Sequence, residues 1–171
     1  MDYFEAVKQR HSIRSFTAQA VEAAKLEKIL EAANAAPSAG NLQAYEIYVV
    51  KTPQARSALA AAARGQDFIA AAPVVLVFCV HPARSEVRYR DRGRRLYAVQ
   101  DATIACTYAM LASTALGLAT VWVGAFNDEA VWKAIGSPEG ITPVAMLPIG
   151  HPGEQPEPTS RRRLDSLVHE V

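Results

Sequence analysis

A long apolar stretch, residues 98–116, constrains the fold of this chain more than any other feature. Its composition and the glycine at position 117 predict a helix of about five turns whose apolar side chains cover nearly the whole circumference. A helix that is apolar all round is buried all round. Because one chain of 171 residues can hardly enclose a helix that spans roughly 28 Å, we expect a dimer with this helix at its centre. The alternative is a helix held between the sheet and the tail of a single chain.

Helix and strand patterns alternate along the rest of the chain. The predicted helices cover residues 4–9, 21–36, 53–63 and 127–135, and the predicted strands cover residues 46–50, 74–80, 119–124 and 142–149. This order predicts an α+β domain (α/β in three layers), in which helices flank a central sheet. We expect a single domain over residues 1–171. Its tail, from residue 151, is too polar to form a core alone, so it lies over a surface or reaches another chain.

Charge and composition argue against several classes of protein. Lysine and arginine number 18 against 17 acidic residues, and without a basic face we expect no nucleic-acid partner. No stretch of about 18 residues is free of polar interruption and the N-terminus lacks a signal-peptide pattern, so we expect no membrane span and no secretion. Cys79 and Cys106 lie in apolar runs, which is typical of buried, reduced thiols and of a cytoplasmic location. The four histidines show no metal-ligand spacing.

Arginines near the two ends of the chain indicate an anion site. Arg10, Ser12 and Arg14 place three donors along one edge of an extended turn, and Arg161 begins a run of three arginines near the C-terminus. A planar guanidinium can bind phosphate or carboxylate with two hydrogen bonds. We interpret the two clusters as one split anion site, suited to a phosphate. A solvated basic turn and a disordered basic tail are the alternatives.

Two further segments combine a glycine with groups that can hydrogen-bond a ligand. In residues 36–43, Gly40 permits close backbone approach, and neighbouring polar side chains suit the edge of a polar heteroaromatic ring. After the strand predicted over residues 119–124, the backbone N–H groups of Gly124 and Ala125 lie at an edge that ligands favour in such sheets. Taken alone, the first segment is typical of an ordinary turn, and a bulge or turn explains the second equally well.

In this order, these segments resemble the nitroreductase family of flavin-dependent oxidoreductases. The resemblance runs from about residue 4 to residue 168, nearly the whole chain, and rests on five motifs in register. The matching residues are Arg10, Ser12, Arg14 and Phe16; Pro37, Ser38, Asn41 and Gln43; residues 72–77; Gly117, Leu118, Trp122, Gly124 and Phe126; and Gly150, Pro152, Pro156, Pro158 and Arg161.

The resemblance implies a mixed central sheet, an intertwined homodimer and an FMN cofactor at the dimer interface, in sites that both chains build. The tail, residues 151–171, would contact the partner subunit. Arg10, Ser12 and Arg161 would hold the FMN phosphate, with Arg162 a weaker candidate.

The resemblance assigns other residues to the rest of the flavin. Arg14 would reach the ribityl and pyrimidine oxygens, and Gln66 would also reach the pyrimidine. The backbone amides of Gly124 and Ala125 would face the N5 side of the ring. The residues that would reach the ring from the other subunit are Pro37, Ser38, Ala39 and Asn41.

The resemblance also implies an activity. The enzyme would pass hydride from NAD(P)H through flavin N5 to an electron-poor acceptor, a nitroaromatic or quinone, by a ping-pong mechanism that needs no catalytic side chain. Larger family members carry a helical insertion after the central helix, where this chain runs almost directly from Gly117 to Val121, so the acceptor stays open. The alternatives are a flavin-binding storage or sensing protein, a phosphometabolite-binding domain, and a flavin-fragmenting or dehalogenating relative.

Residues 84–95 carry six arginines against two acids. As a lid, this segment could contact the phosphates of the nicotinamide donor and favour NADPH. A solvated loop is the alternative.

Overall fold

The computed structural model describes residues 1–156 and 159–171, so Pro158 of the closing motif lies outside the described residues. The helices are α1 (Tyr3–Gln9), α2 (Ala23–Asn34), α3 (Pro53–Ala62), α4 (Phe68–Ala71), α5 (Pro82–Arg92), α6 (Ala98–Ala115) and α7 (Asp128–Ala134). The strands are β1 (Tyr45–Val50), β2 (Val74–Val80), β3 (Ala119–Thr120) and β4 (Thr142–Gly150). Short helical turns occur at Ala39–Asn41, Gly93–Tyr97 and Leu164–Ser166.

The four strands form one sheet in the order β1-β2-β4-β3. All three strand pairs are antiparallel. Among the described residues, parallel pairing is limited to an isolated bridge between Ser12 and Thr120, so the sheet is mixed through that bridge alone. Every residue of β2 is buried, as its uninterrupted apolar sequence predicts for a strand covered on both faces.

Two apolar clusters, one on each face of the sheet, make the domain three layers deep. On one face, α2 and α6 pack against alternate strand residues such as Leu76 and Leu147. On the other face, α3, α4 and α7 pack against the intervening residues, which include Val77 and Met146. Because neighbouring residues of a strand point to opposite faces, one strand serves both clusters. The α+β three-layer architecture predicted from the sequence is confirmed.

The strand predicted over residues 119–124 is interrupted. Thr120 pairs with Ile149 in β4, and pairing resumes in the same register only at Val123, which exchanges two 2.9 Å backbone hydrogen bonds with Met146. In that register Pro148 lies opposite the gap, two residues beyond Met146 and on the same edge of β4. Proline has no N–H to donate, so the ladder breaks there.

The arginine-rich segment, residues 84–95, is helical and not a loop, and its role as a lid stays a prediction. α5 begins at a proline and packs back onto the turn Gly93–Tyr97 that leads into α6. Gly93 permits this contact, because a Cβ there would lie 2.7 Å from the carbonyl carbon of Ser85. Polar and charged side chains dominate α5, so it lacks the apolar spacing by which a helix is predicted.

Helix α6 is buried on one face only within a single protomer. Ala102, Cys106 and Ala109 are fully buried, whereas Gln100, Thr107 and Tyr108 are exposed. The expected all-round burial is therefore incomplete in one chain. No helix in the described part of the chain is long and apolar enough to cross a membrane.

Candidate functional site

The arginines from the two ends of the chain meet in one cavity of about 530 Å³. Arg10, Ser12, Arg14 and Arg161 all line it, so the structure brings the two arginine clusters together. The cavity is also lined by His11, Glu154, Gln155, Pro156 and Thr159.

Backbone pairing brings the tail alongside the N-terminal segment. The N–H of Thr17 donates to the carbonyl of His151 at 3.0 Å, and the N–H of Gly153 donates to the carbonyl of Ser15 at 2.8 Å. A Cβ at Gly153 would lie 2.7 Å from the Ser15 hydroxyl oxygen and 3.1 Å from the Ser15 carbonyl carbon, so glycine favours this close approach. The chain then continues past this contact toward Arg161.

The cavity contains more positive than negative charge. Three arginines line it against one acidic residue, Glu154. Glu154 Oε1 accepts backbone hydrogen bonds from Arg14 at 2.5 Å and from Ser15 at 3.1 Å. Arg161 donates to two neutral oxygens, the Thr159 hydroxyl and the Ser160 carbonyl. Within the described residues no carboxylate forms a salt bridge with the three guanidiniums, so their charge is available to an anion.

A second cavity, of about 490 Å³, lies at the turn between α2 and β1. Pro37, Ser38 and Ala39 form one wall, and Tyr97 and Asp101 belong to the other. The turn and the arginine cavity are thus separate features of one protomer.

The buried carboxylate of Asp101 holds this turn in place. Asp101 is 2% exposed, and its two oxygens accept the backbone N–H groups of Ala39 at 2.9 Å and of Ala44 at 3.4 Å. Asp101 is not among the site residues predicted from the sequence. Its signal was an acid inside an otherwise apolar helix, but its partners lie 57 or more positions away.

The backbone of the turn adopts left-handed conformations at Gly40, Asn41 and Gln43, with φ of 58°, 57° and 48°. The Ser38 hydroxyl stabilises it by accepting the N–H of Gln43 at 3.0 Å. Asn41 is exposed and lines neither cavity. Left-handed non-glycine residues are uncommon, and asparagine adopts this conformation more readily than most residues, which fits its place in this turn.

Gln66 and the pair Gly124–Ala125 lie outside both cavities, yet both connect to the end of α3. The Gln66 side-chain amide donates to the Ala63 carbonyl at 3.0 Å. The N–H of Asn127, just after the pair, donates to the adjacent Ala62 carbonyl at 2.9 Å. These bonds bring the three candidate residues to one region of the surface, where Gly124 and Ala125 are exposed.

Arg162 does not line the arginine cavity. Its guanidinium donates to the Ser166 carbonyl at 2.8 Å, within the tail itself. Arg163 pairs with Asp165. Of the three successive arginines, only Arg161 faces the cavity.

Comparison with known proteins identifies the family of this chain. A model described as "Nitroreductase family" matches residues 7–66 and 60–151. The chain is 31% identical over 195 residues to a protein of Thermus thermophilus named NADH dehydrogenase, covering 98% of this chain and 95% of that relative. It is 29% identical over 182 residues to the FMN reductase (NAD(P)H) of Bacillus subtilis, covering 99% and 73%.

A solved structure shares the fold closely. The NADPH:FMN oxidoreductase from Vibrio harveyi, complexed with NAD+, superposes with a TM-score of 0.90 at 28% identity, covering 98% of this chain and 76% of that chain. The family match spans more than half of the sequence, and the resemblance stated from the motifs is confirmed. The chain belongs to the nitroreductase family.

Proposed function

We propose that this chain is an NAD(P)H-dependent FMN oxidoreductase that works as a homodimer. The observation that carries the proposal is the shared cavity of Arg10, Arg14 and Arg161, built from both ends of the chain. The names of the relatives from Bacillus subtilis and Vibrio harveyi, which both mention FMN and NAD(P)H or NADPH, support it.

The donors in the arginine cavity fit the phosphate of FMN. A phosphate monoester carries a charge of about −1.5 to −2 near neutral pH and three acceptor oxygens. Arg10, Ser12 and Arg161 would supply two guanidiniums and a hydroxyl to these oxygens, and charge-assisted bonds of this kind are the strong ones. Arg14, in the same cavity, would reach the ribityl and pyrimidine oxygens. Arg162 remains a weaker candidate, since its guanidinium is turned to the Ser166 carbonyl.

The turn between α2 and β1 would contact the flavin ring from the partner subunit. This explains why the turn and the arginine cavity are separate on one protomer: each complete site would combine one of each. Pro37, Ser38 and Ala39 line an open cavity, and Asn41 next to them is exposed. Held by Asp101, these residues would orient the ring without any need to move.

Apolar side chains exposed on one protomer support the homodimer. Phe4 in α1 is 81% exposed, an unfavourable state for a phenylalanine unless another surface covers it. The other large apolar residues exposed on α1 and α6 are Tyr3, Val7, Val99 and Tyr108. The tail likewise exposes Leu164, Leu167 and Val168, so residues 151–171 would pack on the partner.

The two free thiols, Cys79 and Cys106, are buried, which supports a reducing, cytoplasmic location.

Gly124, Ala125 and Gln66 would face the remaining edge of the flavin. The backbone N–H groups of the first two would donate toward the N5 side, and the Gln66 amide would turn from the Ala63 carbonyl to the pyrimidine. FMN, when bound, would supply hydride transfer at N5 between NAD(P)H and a nitroaromatic or quinone, in ping-pong order. The chain itself would contribute binding, orientation and positive charge near the pyrimidine.

The visible spectrum of the purified protein tests the proposal, followed by NAD(P)H oxidation with a nitro compound. We expect a yellow protein that consumes NAD(P)H only when an acceptor is present. A yellow protein without turnover would indicate storage or sensing, or a flavin-fragmenting or dehalogenating activity. A colourless protein that ignores added FMN would leave only a phosphate-binding domain.

A further inference from the structure

A row of two arginines and two tyrosines lies beside the turn between α2 and β1. The Arg88 guanidinium lies 5.4 Å from the centre of the Tyr89 ring, and Tyr89 meets Tyr97 edge-on at 5.0 Å. Arg92 lies 5.5 Å from the Tyr97 ring and donates from Nε to its hydroxyl at 3.0 Å. Each side chain in the row therefore contacts the next one.

Two side chains of this row, Arg88 and Tyr89, contact Gly40 in the turn. A Cβ at Gly40 would lie 2.9 Å from Arg88 Nη1 and 2.6 Å from the Tyr89 hydroxyl oxygen. The guanidinium and the hydroxyl thus lie close together against Gly40, on the turn that would meet the flavin. Tyr97, in the same row, lines the cavity at that turn.

The charge of Arg88 is uncompensated, unlike that of its neighbour one helical turn earlier. Arg84 pairs with Glu46 and donates to the carbonyls of Gln43 and Tyr45, which anchors α5 to β1. Arg88 is exposed and, in residues 1–156 and 159–171, has no carboxylate within salt-bridge distance. One arginine of this face is therefore structural, and the other is free to bind.

We propose that Arg88, assisted by the Tyr89 hydroxyl, binds a phosphate group of the nicotinamide donor. A guanidinium and a hydroxyl that lie close together suit the oxygens of one phosphate. The edge-to-face contact of the tyrosine rings holds Tyr89 beneath the guanidinium in advance, which lowers the entropy cost of binding. This inference rests on the proposed function, and it assigns Arg88 to the same composite site as the turn, supplied by the partner subunit.

Two phosphates of the donor carry this chemistry: the 2′-phosphate that only NADPH has, and the pyrophosphate that NADH shares. Comparing Arg88→Ala with Arg94→Ala distinguishes them. Arg94 is exposed in the turn after α5 and forms no salt bridge within the part of the chain described, so it is the matched control. We would measure kcat/KM with NADPH, NADH and dihydronicotinamide riboside, which has no phosphate.

Loss of one charge-assisted contact predicts a fall of about 10- to 100-fold in kcat/KM for the phosphorylated donors relative to the riboside. A fall with NADPH alone identifies the 2′-phosphate, and a fall with NADPH and NADH together identifies the pyrophosphate. Equal losses with all three donors, or the same losses in Arg94→Ala, would overturn the inference, and so would no loss at all.

Calorimetry provides a readout that does not depend on turnover. The protein is titrated with adenosine 2′,5′-bisphosphate and with ADP, and the Arg88→Ala variant should weaken one or both by the same factor as in the kinetics. Wild-type affinities retained for both ligands would refute the role of Arg88. A wild-type protein that binds these nucleotides but never FMN would instead refute the proposed function.

Discussion

Replacing Asp101 with alanine tests how the flavin-facing turn is held. The substitution removes the acceptor of two backbone N–H groups, those of Ala39 and Ala44, and Ala44 has no exposed surface. A buried donor left without a partner costs about 1–3 kcal/mol. The Ala44 bond is long and Ala39 is only half-buried, so we expect a total loss of about 2–4 kcal/mol in the free energy of unfolding.

Urea and thermal unfolding measure this loss. For a protein of this size, about 2–4 kcal/mol lowers Tm by roughly 4–16 °C. Protein concentration must be fixed, because the stability of a dimer depends on it. FMN affinity should fall as well, since the turn would no longer be fixed against the ring.

Two further variants isolate the cause. Asp101→Asn keeps one acceptor oxygen and should lose about half as much stability. Ser113→Ala is the matched control on the same helix: its buried hydroxyl donates to the Ala109 carbonyl, and its loss should cost about 1 kcal/mol. If Asp101→Ala unfolds at the wild-type urea concentration, the carboxylate does not hold the turn and the reasoning fails.

Three other perturbations follow from the structure. Gly93→Ala forces a Cβ against the backbone of Ser85 and should destabilise the protein by at least about 1–3 kcal/mol in urea unfolding; an unchanged midpoint would show that α5 shifts freely. Burial raises the pKa of the Cys79 thiol to about 12 and that of the Cys106 thiol further still, so both stay protonated at pH 8 and should resist a thiol reagent until the protein unfolds. Arg14→Ala should lower FMN affinity and turnover together, and full activity with unchanged FMN binding would remove Arg14 from the site.

Local signals in the sequence predicted the parts of the fold that depend on neighbouring residues. β2 was predicted to the residue because its apolar run is bounded on both sides. The start of α7 was predicted because the Asn127 side chain accepts the N–H of Ala130 at 2.8 Å, a local cap. The length of β3 was overestimated because Pro148, which interrupts its pairing, lies on another strand.

The candidate site shows the same contrast between features that local sequence predicts and features that depend on distant residues. Arginine motifs predicted that the two chain ends converge, and the tail pairing at Ser15 brings Arg161 to the cavity. Asp101 was missed because its role depends on contacts with residues distant in sequence. Arg88 belongs to α5, whose mostly polar sequence lacks the apolar spacing that predicts a helix. Its contact with the turn at Gly40 is therefore visible only in the three-dimensional structure.

Titration of the flavin-free protein with FMN and with riboflavin tests the central claim most directly. The two ligands differ only in the phosphate that Arg10, Ser12 and Arg161 would hold, so we expect FMN to bind at least about 100-fold more tightly. In Arg161→Ala this preference should fall about 10-fold, and in Arg162→Ala it should fall less. Equal affinity for FMN and riboflavin in the wild-type protein would contradict the account, because the arginine cavity would then not be the phosphate site.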